Sequence, residues 1–153
     1  MKKFQFLCTN HRRWLSGNRE AAIHTWLQSY SRCLDLVDER NYLLAINHAG
    51  AAFEASEIAL NQENPATSVT IQRFADSGVL LAQLLYWTKE SRFASAVLAS
   101  SIARFEKLLV LGVERKTVLA GCERLLEVGE SLTCFDCSFG GNANATAASQ
   151  QVH

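Results

Sequence analysis

The stretch Leu34–Ala55, LDLVDERNYLLAINHAGAAFEA, decides the fold, because a related stretch, Leu85–Glu106, LYWTKESRFASAVLASSIARFE, follows 51 residues later. Four of the 22 aligned positions are identical. Each stretch has an apolar helix end, a charged turn, an aromatic residue and alanines seven residues apart. Because seven residues are about two helical turns, the alanines share one helix face. These alanines are Ala45, Ala52 and Ala59 in the first copy and Ala96 and Ala103 in the second. The pattern predicts two helical hairpins whose small faces let a neighbouring helix approach closely.

An aromatic residue three positions before an alanine, with a second alanine seven further on, resembles the second helix of a tetratricopeptide repeat. The matching residues are Tyr42, Ala45 and Ala52 in the first copy and Phe93, Ala96 and Ala103 in the second. The period of that family is 34 residues, whereas the spacing here is 51. The resemblance implies antiparallel hairpins in a right-handed stack, with a concave groove that holds a partner's peptide or helix. Few Lys or Arg residues are expected on its helix faces, so a carboxylate clamp is not predicted.

Apolar residues at three- and four-residue spacing predict five amphipathic helices. They span Arg19–Val37, Asn41–Gln62, Ala66–Thr88, Arg92–Leu111 and Glu114–Leu132. The third is apolar almost all round near its end, which predicts a central position, and the fifth is expected to cap the array with a polar outer side. The fold class is therefore all-α: a tetratricopeptide-like stack, with a closed four- or five-helix bundle as the alternative. Two hairpins are fewer than a stable array needs, so we expect compact closure or a homodimer.

Three segments are predicted along the chain. Residues 1–18 form an N-terminal arm, residues 19–132 form one helical domain, and residues 133–153 form a disordered tail. The arm carries several basic residues and is interpreted as a solvated terminus, or as a contact to nucleic acid or an acidic partner. The tail is interpreted as disordered because residues 138–153 contain Gly, Asn, Ala, Ser, Thr and Gln but no Asp, Glu, Lys or Arg.

The overall composition limits the functional classes. The net charge is zero, so neither nucleic acid nor a membrane surface is favoured as a partner. Hydrophobic residues make up 48% and charged residues only 20% of the chain, which suggests apolar surface that a protein partner or a second copy covers. The five cysteines are an odd number and no signal peptide is recognised, so a reducing cytoplasm is expected. No apolar run has the length of a membrane span.

Two pairs of potential metal ligands flank the helical region. Cys8 and His11 lie near one end and Cys134 and Cys137 near the other, each pair with a two-residue gap that suits zinc. An open array would keep these pairs far apart, so a zinc site requires a closed bundle, a folded-back tail or two chains. Ordinary thiols are the preferred interpretation, and no metal or other cofactor is predicted.

A histidine in the second predicted helix is the remaining candidate for chemistry. His48 is followed by Ala49 and Gly50, which loosely resembles a phosphate-accepting histidine of a phosphotransfer bundle. The lysine that would neutralise a phosphoryl group is missing, and a close helix crossing would explain Gly50. No nucleophile, base and orienting group can be assembled, so no catalytic residue is predicted. The expected function is a non-enzymatic adaptor or chaperone-like module that binds a partner peptide or helix through residues not yet assigned. A signalling bundle, with phosphotransfer through His48, is the alternative.

Overall fold

The computed structural model describes the backbone of residues 5–140 and the side chains of residues 5–134. Its secondary structure consists of six α-helices, and the described residues form no strand. The helices are α1 Thr9–Ser16, α2 Arg19–Asp38, α3 Tyr42–Gln62, α4 Ser68–Trp87, α5 Ser91–Val110 and α6 Arg115–Gly140. The all-α prediction is confirmed, and all five predicted helices are present as α2 to α6.

Local capping explains why α2, α3 and α4 begin where they do. The side chain of Asn18 accepts a hydrogen bond from the backbone N–H of Ala21 at 3.1 Å, at the start of α2. Asn41 and Thr67 cap α3 and α4 in the same way. Each side chain satisfies one of the N–H groups that have no partner inside the first turn.

The turns that end α2 and α4 are the same, and they define the true spacing of the two hairpins. Arg40 has φ 60° and Lys89 has φ 65°. At both turns the next residue donates its N–H to a carbonyl five positions earlier, which is a Schellman motif. These turns lie 49 residues apart (89 less 40), as do the first residues of α2 and α4 and of α3 and α5. The predicted spacing of 51 is therefore wrong by two residues.

The corrected spacing explains which alanines are buried. Ala45 and Ala52 are fully buried on α3 as expected, but Ala96 and Ala103 on α5 are exposed. The structural counterparts of Ala45 and Ala52 are Ala94 and Ser101, both buried. The predicted small-residue face of the second copy is therefore wrong. Alanine is a common helix residue, so an alignment on alanine identities carried little information about register.

The helices pack mainly against their neighbours in sequence. From α2 to α6 each helix contacts the next, α1 lies against α2 and α3, and α6 also contacts α4. In the described part of the chain no extensive packing closes α2 or α3 onto α6. Helix α4 contacts α3, α5 and α6, so its predicted central position is confirmed.

Aromatic rings from three helices form the centre of the main core. The rings of Phe53 and Phe74 stack with centroids 5.2 Å apart, and Phe74 meets Phe105 edge-on at 5.5 Å. A second cluster, which includes Leu15 and Ile58, joins α1, α2 and α3. Helix α1 is thus held by apolar burial as well as by its connection to α2.

The segment before α1 is bound to α3 by a buried carboxylate. Glu54 is 6% exposed and accepts hydrogen bonds from the backbone N–H groups of Leu7 at 2.7 Å and Phe6 at 3.1 Å. Arg12 forms an ion pair with the same carboxylate at 3.2 Å. The interpretation of this part of residues 1–18 as a solvated terminus is wrong, because Phe6, Leu7 and α1 are packed on the helices that follow. The two N–H donors and the arginine supply partners for the oxygens of this buried carboxylate.

Gly50 accommodates the ring of Phe6. A Cβ atom built on Gly50 would lie 2.1 Å from Cγ of Phe6, and its three nearest atoms all belong to that ring. The glycine therefore allows a close approach, as predicted, but to an aromatic side chain of the N-terminal segment rather than to a crossing helix. The missing side chain is a structural requirement of this contact.

Helix α6 differs from its prediction at both its end and its surface. It continues past Leu132 to Gly140, so the predicted tail of residues 133–153 begins inside a helix, and residues 141–153 lie outside the described residues. Val118 and Leu125 are buried as expected, whereas Leu119 and Leu126 are about half exposed. The expected capping helix with a polar outer side therefore carries apolar residues on its surface. No helix in the described part of the chain combines the length and apolar character that a bilayer span requires.

Candidate partner-binding site

Side-chain contacts connect α2, α4 and α6, which are every second helix along the chain. The indole Nε1–H of Trp26 on α2 donates to Oγ of Ser77 on α4 at 2.7 Å. The guanidinium of Arg124 on α6 donates to Asp76 on α4 at 2.6 Å. These two contacts connect α2 to α4 and α4 to α6, and we call the surface that carries them the α2–α4–α6 face.

An aromatic pair covered by an arginine lies at the α2 side of this face. Trp26 and Tyr30 are half-buried, and their rings stack with centroids 5.2 Å apart. The Cζ atom of Arg73 lies 5.1 Å from the Trp26 ring centroid, in cation–π geometry. The hydroxyl of Ser77 accepts from Trp26 and donates to the carbonyl of Arg73 at 2.7 Å, which fixes the indole. Trp26 also packs against the second core cluster, and both rings keep part of their surface accessible.

The phenol of Tyr30 remains protonated over the physiological range. Its pKa is raised mainly because burial disfavours the phenolate, and the negative charge of Asp76 raises it further. Tyr30 is therefore available as a neutral hydrogen-bond donor at the surface. The raised pKa disfavours nucleophilic chemistry through the phenolate.

A shallow groove of about 440 Å³ runs between α4 and α6 on the α2–α4–α6 face. Its lining residues are Gln72, Ala75, Asp76, Lys116, Thr117, Ala120, Gly121 and Arg124. Small residues form its floor, and a Cβ atom on Gly121 would lie 2.7 Å from Cε2 of Phe105 and 3.5 Å from Cβ of Ala75. The groove therefore lies directly above the packed core.

The charges around this groove are mixed, with an excess of cations. Lys116 and Arg124 line it and Arg73 lies nearby over the indole, whereas Asp76 is the acidic lining residue. This is more basic than the sequence suggested, because Arg73 and Arg124 come from different helices and converge only in the fold. Arg124 is held by Asp76 and Arg73 by Trp26, so both side chains have defined positions.

The structure does not bring the candidate zinc ligands together within its described residues. Cys8 is the N-cap of α1, where its Sγ accepts from the backbone N–H of His11 at 3.4 Å, and Cys134 is near the end of α6. The described side chains contain no group of three His, Cys, Asp or Glu residues placed to hold a metal ion. The side chain of Cys137 lies outside the described residues.

The remaining candidate residues lie elsewhere. His48 is half-buried in the middle of α3, which contributes no residue to the groove. Burial raises the pKa of the Cys33 thiol to about 11, and burial followed by the negative charge of Glu106 raises that of Cys122. Both thiols are therefore protonated at neutral pH, so neither is activated as a nucleophile.

Sequence reasoning assigned no partner-binding residue, although two local signals were present. Trp26 and Tyr30 are four residues apart, and so on one helix face, and Gln72 and Asp76 share that spacing on α4. The missing information was which face of α6 meets which face of α4. That depends on the close approach of Gly121 to Ala75 on α4 and to Phe105 on α5, which the sequence alone does not reveal.

The chain has no match among protein-family models, among curated protein sequences or among solved structures. The comparisons therefore identify no family. In residues 5–140 the structure defines six α-helices packed in sequence order, with a groove on the α2–α4–α6 face.

Proposed function

We propose that this chain is a non-enzymatic protein-interaction module that holds a peptide or helix of a partner protein on the α2–α4–α6 face. The observation that carries the proposal is the convergence of α2, α4 and α6, which presents a fixed aromatic pair beside an open groove. Half-exposed Trp and Tyr side chains bury much area at a low cost in conformational entropy, and they are typical of protein interfaces.

A tetratricopeptide-like stack is part of this proposal. In such a stack the first helices of successive hairpins lie side by side, and the second helices form the opposite layer. The hydrogen bond between α2 and α4 and the packing of α4 against α6 fit the first layer. Helices α3 and α5, which both pack against α4, are then assigned to the second layer. The common 49-residue spacing of turns and helix starts supports two equivalent hairpins, followed by α6 as the first helix of a third.

The chemistry of the groove favours a partner segment with both apolar and acidic groups. The Trp26 and Tyr30 rings offer apolar surface and one phenolic donor. The positive charges of Lys116 and Arg124 at the groove and of Arg73 beside it outnumber the single negative charge of Asp76. A carboxylate entering here would gain charge-assisted hydrogen bonds from guanidinium groups already held in position. The described side chains of the groove include no nucleophile beside a base, which supports binding rather than catalysis.

Site-specific photocrosslinking tests this proposal directly. A photoreactive amino acid replaces Gln72 in the groove and, as the matched control, the exposed Ala103 on α5. Crosslinking in the native host, followed by mass spectrometry, is expected to give a defined protein adduct from position 72 and not from position 103. The adduct's partner is then purified, and its affinity for the unmodified chain is measured. Equal adducts from both positions, or none from position 72, would remove the groove from consideration.

A further inference from the structure

The outer surface of α6 carries a second, separate set of apolar residues. Arg115, Leu119, Cys122, Leu126, Gly129 and Thr133 follow one another at alternating spacings of four and three residues. This is the heptad pattern that places residues along one seam of a helix. Leu119 is 47% exposed and Leu126 is 52% exposed, so the seam faces solvent rather than the core. It lies on a different side of α6 from Ala120 and Arg124, which line the groove of the α2–α4–α6 face.

The seam borders an apolar groove between α5 and α6. This groove has a volume of about 430 Å³, and its apolar lining includes Leu98, Ile102, Leu125 and Leu126. Helix α6 packs against both α4 and α5. In the described part of the chain no helix packs in the same way against both α5 and α6, so the groove between these two helices is uncovered. Val110 and Leu111, 88% and 73% exposed, lie at the α5–α6 turn, at the other end of this hairpin. An exposed apolar groove of this kind marks an interaction site.

The charges at the two ends of the seam make it complementary to itself. Arg115 begins the seam, and Glu130 lies next to Gly129 towards its other end. If two α6 helices pair antiparallel with Leu119 against the partner's Leu126, the centre of symmetry falls between Cys122 and Glu123. The same centre sets Arg115 opposite the partner's Glu130. A parallel pair would instead set like charges together at both ends, at a cost in free energy.

The segment of this chain that follows α6 offers little to cover the seam. In residues 141–153 Val152 is the one Val, Ile, Leu, Met or aromatic residue. Residues of this composition could bury little apolar area against the seam. A two-fold pair, in contrast, brings the same apolar patch from both copies and satisfies both ion pairs at once.

We propose that two copies of this chain form an antiparallel dimer through the α6 seam, with Leu119 and Leu126 at its centre and Arg115–Glu130 ion pairs at its two ends. The groove on the α2–α4–α6 face stays open in this dimer, because it uses another side of α6. This inference does not depend on the proposed function, since it concerns pairing of the chain with itself.

Sedimentation velocity of the purified full chain over the micromolar range tests the dimer. We expect the unaltered chain to sediment as a dimer and Leu126→Glu as a monomer. Arg115→Glu is expected to weaken dimerisation about tenfold or more, because it sets two carboxylates against each other. Glu130→Arg has the same effect, and the double variant Arg115→Glu/Glu130→Arg restores the dimer. Circular dichroism checks that each variant is folded, which is expected because all three positions are exposed.

Arg13→Glu on α1 is the matched control, since it makes the same charge change at an exposed helix position away from α6. It is expected to leave the dimer unaffected. A chain that is monomeric at every concentration would overturn the proposal and would assign the seam to a different protein. A dimer that withstands Leu126→Glu would contradict it, as would a failure of the double charge exchange to restore pairing.

Discussion

Replacing Gly50 with alanine is expected to destabilise this protein, although alanine is the better helix former. The new Cβ atom would lie 2.1 Å from Cγ of Phe6, much closer than two carbon atoms can approach. Gly50 is buried in the middle of α3, so its backbone cannot readily move away. The Phe6 ring must therefore leave its position, and it weakens the attachment of the N-terminal segment to Glu54.

The magnitude follows from what the ring loses and what the helix gains. Complete burial of a Phe side chain contributes about 1.5–3 kcal/mol, and Phe6 is half-buried, so about 1 kcal/mol is lost with its contacts. Loosening one backbone hydrogen bond to the Glu54 carboxylate costs about 1.5–3 kcal/mol more. Alanine returns about 1 kcal/mol of helix propensity. The expected net loss is about 2 kcal/mol in the free energy of unfolding.

Urea unfolding followed by circular dichroism measures this effect, and Phe6→Ala provides the matched background. Without the Phe6 ring, Gly50→Ala should stabilise the protein by about 1 kcal/mol through helix propensity alone. The effect of Gly50→Ala on stability thus changes sign between the two backgrounds. The difference is a coupling energy of about 3 kcal/mol, at the upper end of the range for residues in contact. If Gly50→Ala stabilises the chain in both backgrounds, Phe6 does not occupy this site and the described docking of the N-terminal segment is incorrect.

Three further substitutions probe other features of the fold. Burial opposes the ionisation of Glu63, but hydrogen bonds and a nearby arginine lower its pKa overall. The ionised carboxylate therefore stabilises the fold above the unfolded-state pKa, and this contribution is lost as the pH falls through the folded-state pKa. Glu63→Gln should therefore be less stable than the unaltered chain at neutral pH in thermal melts, and the difference should shrink on acidification; a constant difference would contradict this. Lys89→Gly should raise stability by about 0.5–1 kcal/mol in urea unfolding, because Lys89 has φ 65°, a conformation that glycine adopts without strain. A loss of stability would show that the lysine side chain contributes more than its backbone strain costs. Gly121→Ala should lower stability by about 1–3 kcal/mol in the same assay, because its Cβ would lie 2.7 Å from the buried Phe105 ring; an unchanged midpoint would mean that the ring moves freely.

The helices could be predicted from the sequence because their determinants are local. Apolar periodicity located α2 to α6, and the N-cap of α2, Asn18, is a residue type that local capping rules favour at this position. The end of α6 was placed too early, because residues 133–140 lack the amphipathic period on which the prediction relied. Even so, the backbone remains helical to Gly140.

The features that were missed depend on contacts distant in sequence. Nothing near Phe6 indicates that its ring lies on Gly50, and nothing near Glu54 indicates that it holds two N–H groups some 47 residues earlier. The predicted register between the two hairpins was also wrong for this reason. Burial follows the 49-residue spacing of the turns, whereas chance alanine identities favoured 51. The α2–α4–α6 face could not be predicted because its residues converge only after this register is fixed.

The central claim, that the groove of the α2–α4–α6 face binds the partner, is tested most directly by comparing two Ala→Arg variants. Ala120 lines the groove and Ala103 lies on α5, and both are exposed residues within helices, so both substitutions should be equally tolerated by the fold. Isothermal titration calorimetry with the crosslinked partner gives the Kd of each variant. We predict that Ala120→Arg weakens binding at least tenfold, because its side chain fills the groove, and that Ala103→Arg leaves the Kd unchanged. Equal affinities for the two variants would contradict the assignment of the groove as the binding site.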